Sequence, residues 1–273
     1  MNKPSIHLLS ERMKQYEEVF TEIKIPLDEI VCVRIDGKGF SNLTRTLKGA
    51  KRPYHEEFAK IMIDTMNFLV SKTQAKLGYT QSDEITLIYF NKDRNQMGAF
   101  NNKVQKLCSV FASMATAKFN QELHSRVPEK KSTLAFFDGR AFAVPDLTTA
   151  ANLIFWRQED AIKNSISMAA ESYFSHRVLL KKNSQEKINL LKDAGVIFEE
   201  YPAFFRIGTF ANNEGYMVEV NLNNLPPKAL EQLGGQTHVL RHRIKNNSCI
   251  CLRDINPEAW VDLLFNNKQK EEI

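Results

Sequence analysis

Residues 78–90 read GYTQSDEITLIYF. A β-rich run beginning near Ala75 and a second from Ile85 to Phe90 flank the polar turn Gln81-Ser82-Asp83-Glu84, which predicts a β-hairpin with acids at its tip. Upstream, Ile30 to Ile35 (IVCVRI) is a compact β-rich run ended by Asp36-Gly37, the pattern of a buried strand that delivers an acid to a turn. Between the two, Phe58, Ile61, Met62, Thr65, Phe68 and Leu69 recur at helical spacing over His55 to Thr73, behind Pro53. Downstream, Val104, Leu107, Cys108, Phe111, Met114, Ala115 and Phe119 form the stripe of a second long helix. A strand from Leu134 to Val144 follows, containing Asp138-Gly139-Arg140 and ending at Pro145.

This order, βαββαβ, predicts an α+β ferredoxin-like domain over residues 1–145. Right-handed crossovers make the first two strands parallel, and the hairpin reverses the third. The third strand then pairs antiparallel with the first, bringing Asp36 beside Asp83 and Glu84. Ahead of this unit, Met13, Tyr16 and Phe20 predict a short amphipathic helix over Glu11 to Thr21, packed on the body by one face. Residues 146–273 are expected to form a mostly helical extension. It holds a helix over Ala150 to Phe174, short strands around Phe204 to Thr209 and Tyr216 to Val220, and a frayed tail over Lys268 to Ile273.

An acid at a strand end is ordinarily solvated or capping, so neither Asp36 nor Asp83 signifies alone. Three acids converging at one edge of a sheet are different, because hard Mg²⁺ takes one or two carboxylates and fills its shell with water and phosphate oxygens. Two such ions about 4 Å apart can stabilise both the attacking and the leaving oxygen of an in-line displacement. Asp36, Asp83 and Glu84 are therefore the candidate metal ligands. Asp36 runs into Gly37-Lys38-Gly39-Phe40-Ser41, where glycines permit close backbone approach and N–H groups can face phosphates, with Arg34 and Lys38 as nearby cations. Phe40 either packs in the core or stacks on a base, with stacking slightly favoured.

The rest of the composition excludes more than it assigns. Values of 43% hydrophobic and 25% charged residues are those of an ordinary globular chain. No stretch approaches the roughly 18 consecutive apolar residues of a membrane span. The charged N-terminus has no signal-peptide pattern, so a cytoplasmic location is expected. Cys32, Cys108, Cys249 and Cys251 suit neither a disulfide framework nor a four-ligand zinc site. His7, His55, His124, His176, His238 and His242 are dispersed, and without a G-x-S-x-G elbow nucleophilic hydrolase chemistry recedes. A net charge of +5 with pI near 8.9 is compatible with a polyanionic partner. Lys181 to Lys187 and Arg241 to Lys245 are the basic stretches available to one, or are simply solvated faces.

RIDGKGFSNLTR (Arg34 to Arg45), KRPYHEEF (Lys51 to Phe58), GYTQSDEITLIYF (Gly78 to Phe90), FDGRAFAVP (Phe137 to Pro145) and WRQEDAIKNSISM (Trp156 to Met168), with ERMKQYE ahead of them, closely resemble the tRNA-histidine guanylyltransferase family. The resemblance implies a palm-like catalytic domain that adds nucleotides to the 5′ end of tRNA, the reverse of ordinary polymerisation. A 5′-monophosphate end is activated with ATP, and the 3′-hydroxyl of an incoming GTP attacks the adenylylated end. Carried onto this sequence, it makes Asp36 and Asp83 ligands of two Mg²⁺ ions, with the Gly37 carbonyl as a further ligand and Glu84 beside them. Asp36, Gly37, Lys38, Gly39, Phe40, Ser41, Ser82 and Asp83 would contact the nucleotide, and Arg140 and Lys187 triphosphate oxygens or the RNA end. A homotetramer is implied as well.

Where eukaryotic members carry His-Ile-Asn-Asn, this chain has Ala161-Ile162-Lys163-Asn164. That is similar to the guanylyltransferase-like branch, whose members favour templated addition and repair 5′-truncated tRNA. Two alternatives are a palm-fold nucleotidyl cyclase, an enzyme that joins a nucleotide to itself, and, from another class, a non-catalytic RNA-binding module.

Overall fold

The computed structural model describes residues 6–47, 53–90, 98–221, 226, 228, 233, 234 and 236–265. The tail from Lys268 and the residues Lys51 and Arg52 of the KRPYHEEF motif lie outside them.

The two β-rich runs of the hairpin become β2 (Leu77–Gln81) and β3 (Glu84–Tyr89), and the run ending in Asp36 becomes β1 (Ile30–Gly37). All three are apolar on both faces, because helices cover both sides of the sheet. With β4 (Phe137–Val144) the order is β4-β1-β3-β2, every neighbouring pair antiparallel. This is the ferredoxin-like arrangement expected from the βαββαβ order.

One face takes Val31, Val33, Ile35, Ile85 and Leu87 against α3 (Glu56–Thr73) and α4 (Val104–Arg126), through Ile61, Met66, Leu69, Phe111 and Phe119. The other takes Ile30, Cys32, Leu77, Tyr79 and Ile88 against α5 (Leu147–Glu171), whose start is capped by the Asp146 carboxylate accepting from the Thr149 N–H at 2.7 Å. The far half of α5 carries a third cluster with α6 (His176–Leu179), α7 (Ser184–Asp193) and α8 (Ala203–Ile207).

Two expectations change. The N-terminal helix, α1 (Ile6–Thr21), buries no residue, and Tyr16 and Phe20 stay 67% and 71% exposed. The α3–α4 layer already covers its side of the sheet, so the stripe of α1 finds no open apolar surface there. Residues Phe204 to Ile207 are helical, not extended: Pro202 precedes α8, and Gly208, at φ 76°, turns the chain into β5 (Thr209–Glu219). A Cβ at Gly208 would lie 2.6 Å from the Thr80 carbonyl oxygen, so the turn needs glycine on two counts. Residues beyond 145 also widen the palm sheet. β5 pairs with the free edge of β2, and β6 (His238–Asn247) pairs with β5, giving a six-stranded sheet. A short helix, α9 (Trp260–Phe265), closes the α5 face with Trp260 stacked on Phe155.

Candidate active site

Antiparallel register fixes the site. Asp36 lies directly across from Glu84 on β3 and from Asp138 on β4, so the three side chains rise from one face at the ends of their strands. Asp83 follows from the β2–β3 turn, whose carbonyl accepts from the Gly37 N–H at 3.1 Å, and Lys38 N–H donates to the Phe136 carbonyl at 2.9 Å. The Asp36–Lys38 backbone is thus clamped on both sides.

The turn residue Ser82 sits at φ 48°, a left-handed conformation uncommon for a residue with a side chain. Its hydroxyl donates to the Asp83 carboxylate at 3.0 Å. Burial pushes the Asp83 carboxyl above its ordinary range, the Ser82 hydrogen bond opposes this, and the Asp36 charge adds to it. Among the described residues Asp83 forms no ion pair, which leaves a largely desolvated acid without a counter-charge.

Glu84 is placed differently. It is 7% exposed, and Arg157 of α5 grips it with two bonds, Nε to Oε1 at 2.8 Å and Nη2 to Oε2 at 2.7 Å. The remaining Arg157 nitrogen donates to Asp160 at 2.7 Å, and the Trp156 ring lies 4.8 Å from the guanidinium. Burial raises the Glu84 carboxyl and Arg157 draws it back. Among the described residues no three His, Cys, Asp or Glu side chains are grouped to hold a metal ion. The three expected carboxylates stand at one edge, with Glu84 held by the buried guanidinium and two, Asp36 and Asp83, without such a grip. Two are sufficient for Mg²⁺, which keeps several waters and takes phosphate oxygens. The unpaired Asp83, with Asp36 and the adjoining Gly37 carbonyl, fits such an ion.

A cavity of about 710 Å³ opens at the turn. Gly37, Gly39, Ser41, Ser82 and Asp83 line one end, and Tyr54 and Phe204, with rings 4.8 Å apart, line the other. That is the size and mixed polarity of a site for a nucleotide-sized molecule.

The remaining expected contacts divide. Arg140 Nη2 lies 3.7 Å from Asp36 and 3.8 Å from Asp138 and is half-exposed, and it is not among the residues lining the cavity. Lys38 is exposed beside the clamped backbone. Lys187 lies on α7, where its ammonium donates to Ser167 at 2.9 Å, and it is not part of the cavity wall. Phe40 is a core residue at 3% exposure, its ring 4.8 Å from Phe137 and 5.0 Å from Phe119. The ring packs in the core and does not turn a free face outward, although Phe40 still contributes to the cavity wall. Arg157, Tyr54 and Phe204 were not identified as site residues from the sequence. The WRQ motif was visible, but nothing local in it points to Glu84.

A ferredoxin-like sheet that presents strand-end acids beside a glycine-rich turn defines the palm class of nucleotide-handling enzymes. The family model described as tRNAHis guanylyltransferase matches residues 10–145. A bacterial tRNA(His) guanylyltransferase-like protein solved in complex with ATP is 32% identical, covering 96% of this chain and 100% of its own, with a TM-score of 0.75. Such a bacterial protein in complex with GTP is 31% identical over 93% of this chain and 98% of its own, with a TM-score of 0.69. The tRNA(His) guanylyltransferase of Saccharomyces cerevisiae is 27% identical over 208 residues, 70% of this chain and 86% of that protein. The chain belongs to the tRNA(His) guanylyltransferase family, whose members are nucleotidyltransferases.

Proposed function

We propose that this protein is a template-dependent 3′-to-5′ nucleotidyltransferase that adds nucleotides to the 5′ end of tRNA and repairs 5′-truncated ends. The observation that carries the reading is that the β2–β3 turn brings Asp83 to the wall of a nucleotide-sized cavity, with Asp36 on β1 next to the lining residue Gly37. ATP activates a 5′-monophosphate end by adenylylation, with loss of pyrophosphate, and the 3′-hydroxyl of GTP or another incoming nucleotide then displaces AMP.

Two Mg²⁺ ions, when bound, neutralise phosphate charge and stabilise the attacking and leaving oxygens. The protein's own part is positional. Asp36, Asp83 and the Gly37 carbonyl would hold the ions, the Gly37–Ser41 backbone, clamped at Gly37 and Lys38, aligns the triphosphate, and Arg140 meets phosphate beside Asp36. The tRNA body is met by the β5–β6 hairpin, where Arg241, Arg243 and Lys245 alternate onto one face with Tyr216. The protein works in the cytoplasm as a homotetramer.

The test presents 5′-truncated tRNAs and full-length tRNA-histidine, each with a mono- or triphosphate end. Preferential extension of truncated ends, needing ATP only for the monophosphate, is expected, and Asp36→Ala or Asp83→Ala abolishes it in folded protein. Incorporation retained by either variant refutes the site. A cyclic product from labelled GTP without RNA makes the protein a cyclase, and tight tRNA binding with no incorporation makes it a binding module.

A further inference from the structure

Glu84 faces the same side of the sheet as Asp36 and follows Asp83 directly, yet its two carboxylate oxygens are both committed to Arg157. Thr86 adds a longer hydroxyl contact at 3.4 Å to one of the same oxygens. The guanidinium is as buried as the acid, each side chain being 9% exposed. It is further held by Asp160 and covered by Trp156, so the grip is built from α5 and not adopted by a free surface arginine. Planar, two-point pairing of this kind fixes direction as well as distance.

We infer that Arg157 is a positioning residue for nucleotidyl transfer and that Glu84 is its strut, not a metal ligand. The chain of contacts runs from α5 through Arg157 to Glu84, the first residue of β3. From there it passes to the Ser82–Asp83 turn, whose Asp83 carbonyl receives the Gly37 N–H. Fixing Glu84 fixes the strained turn, and with it the approach of Asp83 to Asp36. Partners that orient a ligating side chain are typically worth about 10- to 100-fold in metal affinity or activity. A misplacement of about 1 Å at such a site costs a similar factor in rate.

This inference rests on the nucleotidyl-transfer reading, so its test has an arm that needs no RNA. Mn²⁺ is titrated into the protein with a non-hydrolysable nucleoside triphosphate, and bound metal is counted by electron paramagnetic resonance. Glu84→Gln keeps the shape and one acceptor for Arg157, and is expected to bind as many Mn²⁺ ions as the wild type, with affinity within about threefold. Asp83→Asn is expected to lose metal. Loss of an ion in Glu84→Gln, with its melting temperature unchanged, overturns the strut assignment whatever the RNA substrate proves to be.

The second arm is Arg157→Lys, which keeps the charge and loses the two-point grip. Its kcat on a truncated tRNA is expected to fall about 10- to 100-fold while KM for the nucleotide stays within about threefold. A wild-type kcat, or a fall matched by an equal loss of folded protein, overturns the positioning role. Should Arg157→Lys not fold, the Mn²⁺ count in Glu84→Gln decides the strut assignment on which the role depends. If the wild type binds Mn²⁺ but extends no RNA end, the nucleotidyl-transfer reading fails while the strut assignment stands.

Discussion

Gly37→Ala tests the link between core packing and the nucleotide loop. A Cβ on residue 37 would lie 2.4 Å from Phe40 Cδ2, 2.6 Å from Cγ and 2.7 Å from Cε2, distances that no relaxed structure keeps. The ring has no room to retreat: it is 3% exposed and wedged by Phe137, Phe119 and Phe58, with centroids 4.8, 5.0 and 6.1 Å away. Overpacking of this kind costs about 1–3 kcal/mol. In a chain of this size each kcal/mol lowers the melting temperature by about 2–4 °C, so a fall of about 2–12 °C is expected by calorimetry. Part of the strain is relieved by moving the loop, which raises the nucleotide KM in a labelled incorporation assay. Gly37→Ala/Phe40→Leu is expected to melt close to Phe40→Leu alone, because the smaller side chain removes the collision. Gly37→Ala melting within about 1 °C of the wild type, with KM unchanged, would refute the claim that Phe40 ties the loop to the core.

Further outcomes follow from the charges. Arg157→Leu strands Glu84 in a buried position and is expected to lose about 3–5 kcal/mol in urea unfolding at pH 7. Adding Glu84→Gln to that variant restores part of the loss, and a single-variant loss under about 1 kcal/mol would show the pair to be unimportant for stability. Burial holds the Asp83 carboxyl above its unfolded value, so ionising it disfavours the folded state, and stability falls as pH rises from the unfolded value through the folded one. Asp83→Asn should accordingly raise the melting temperature of metal-free protein at pH 7 but not at pH 3, and a fall at pH 7 would contradict the assignment of an uncompensated acid. Replacing Arg241, Arg243 and Lys245 by Ser is expected to weaken tRNA binding and flatten its dependence on log[salt] by about 2–3 units, measured by filter binding. An unchanged slope would remove the hairpin from the RNA surface.

The palm was legible because its signals are local. Buried strands read as continuous apolar runs, the helices as stripes, and the Gln81–Glu84 turn as a hairpin tip. Strand pairing then placed Asp36 opposite Glu84, as the structure has it. What escaped is decided at long range. Phe40 follows a glycine-rich turn whether it faces a ligand or the core, and Phe119 and Phe137, far along the chain, choose the core. Glu84 reads as one of three acids at the turn, and nothing near it in the chain shows that Arg157, 73 positions away, bonds both its oxygens. The β-branched and aromatic content of Phe204 to Thr209 suggested a strand, but Pro202 and Gly208 bound it as one short helix before β5 begins.

The acids at this end of the sheet differ in how they are neutralised, and the difference separates stability from chemistry. Asp138 and Asp36 share the exposed Arg140, an arrangement worth little in water and easily exchanged for phosphate or metal. Glu84 belongs to a dry network with Arg157 and Asp160, costly to break and therefore suited to fixing geometry. Asp83 is half-buried with a serine hydroxyl and a backbone N–H for company but no cation among the described residues, an arrangement that costs stability in the free protein and that a bound cation would relieve. The strained Ser82 beside it adds to the same cost. Strain and uncompensated charge are concentrated at one turn, braced on one side by β1 and on the other by α5, and the proposed binding of metal and nucleotide together would offset them. Either alone would leave part of the charge unbalanced: two divalent ions carry more charge than Asp36 and Asp83 offset, and phosphate without metal is repelled by both acids.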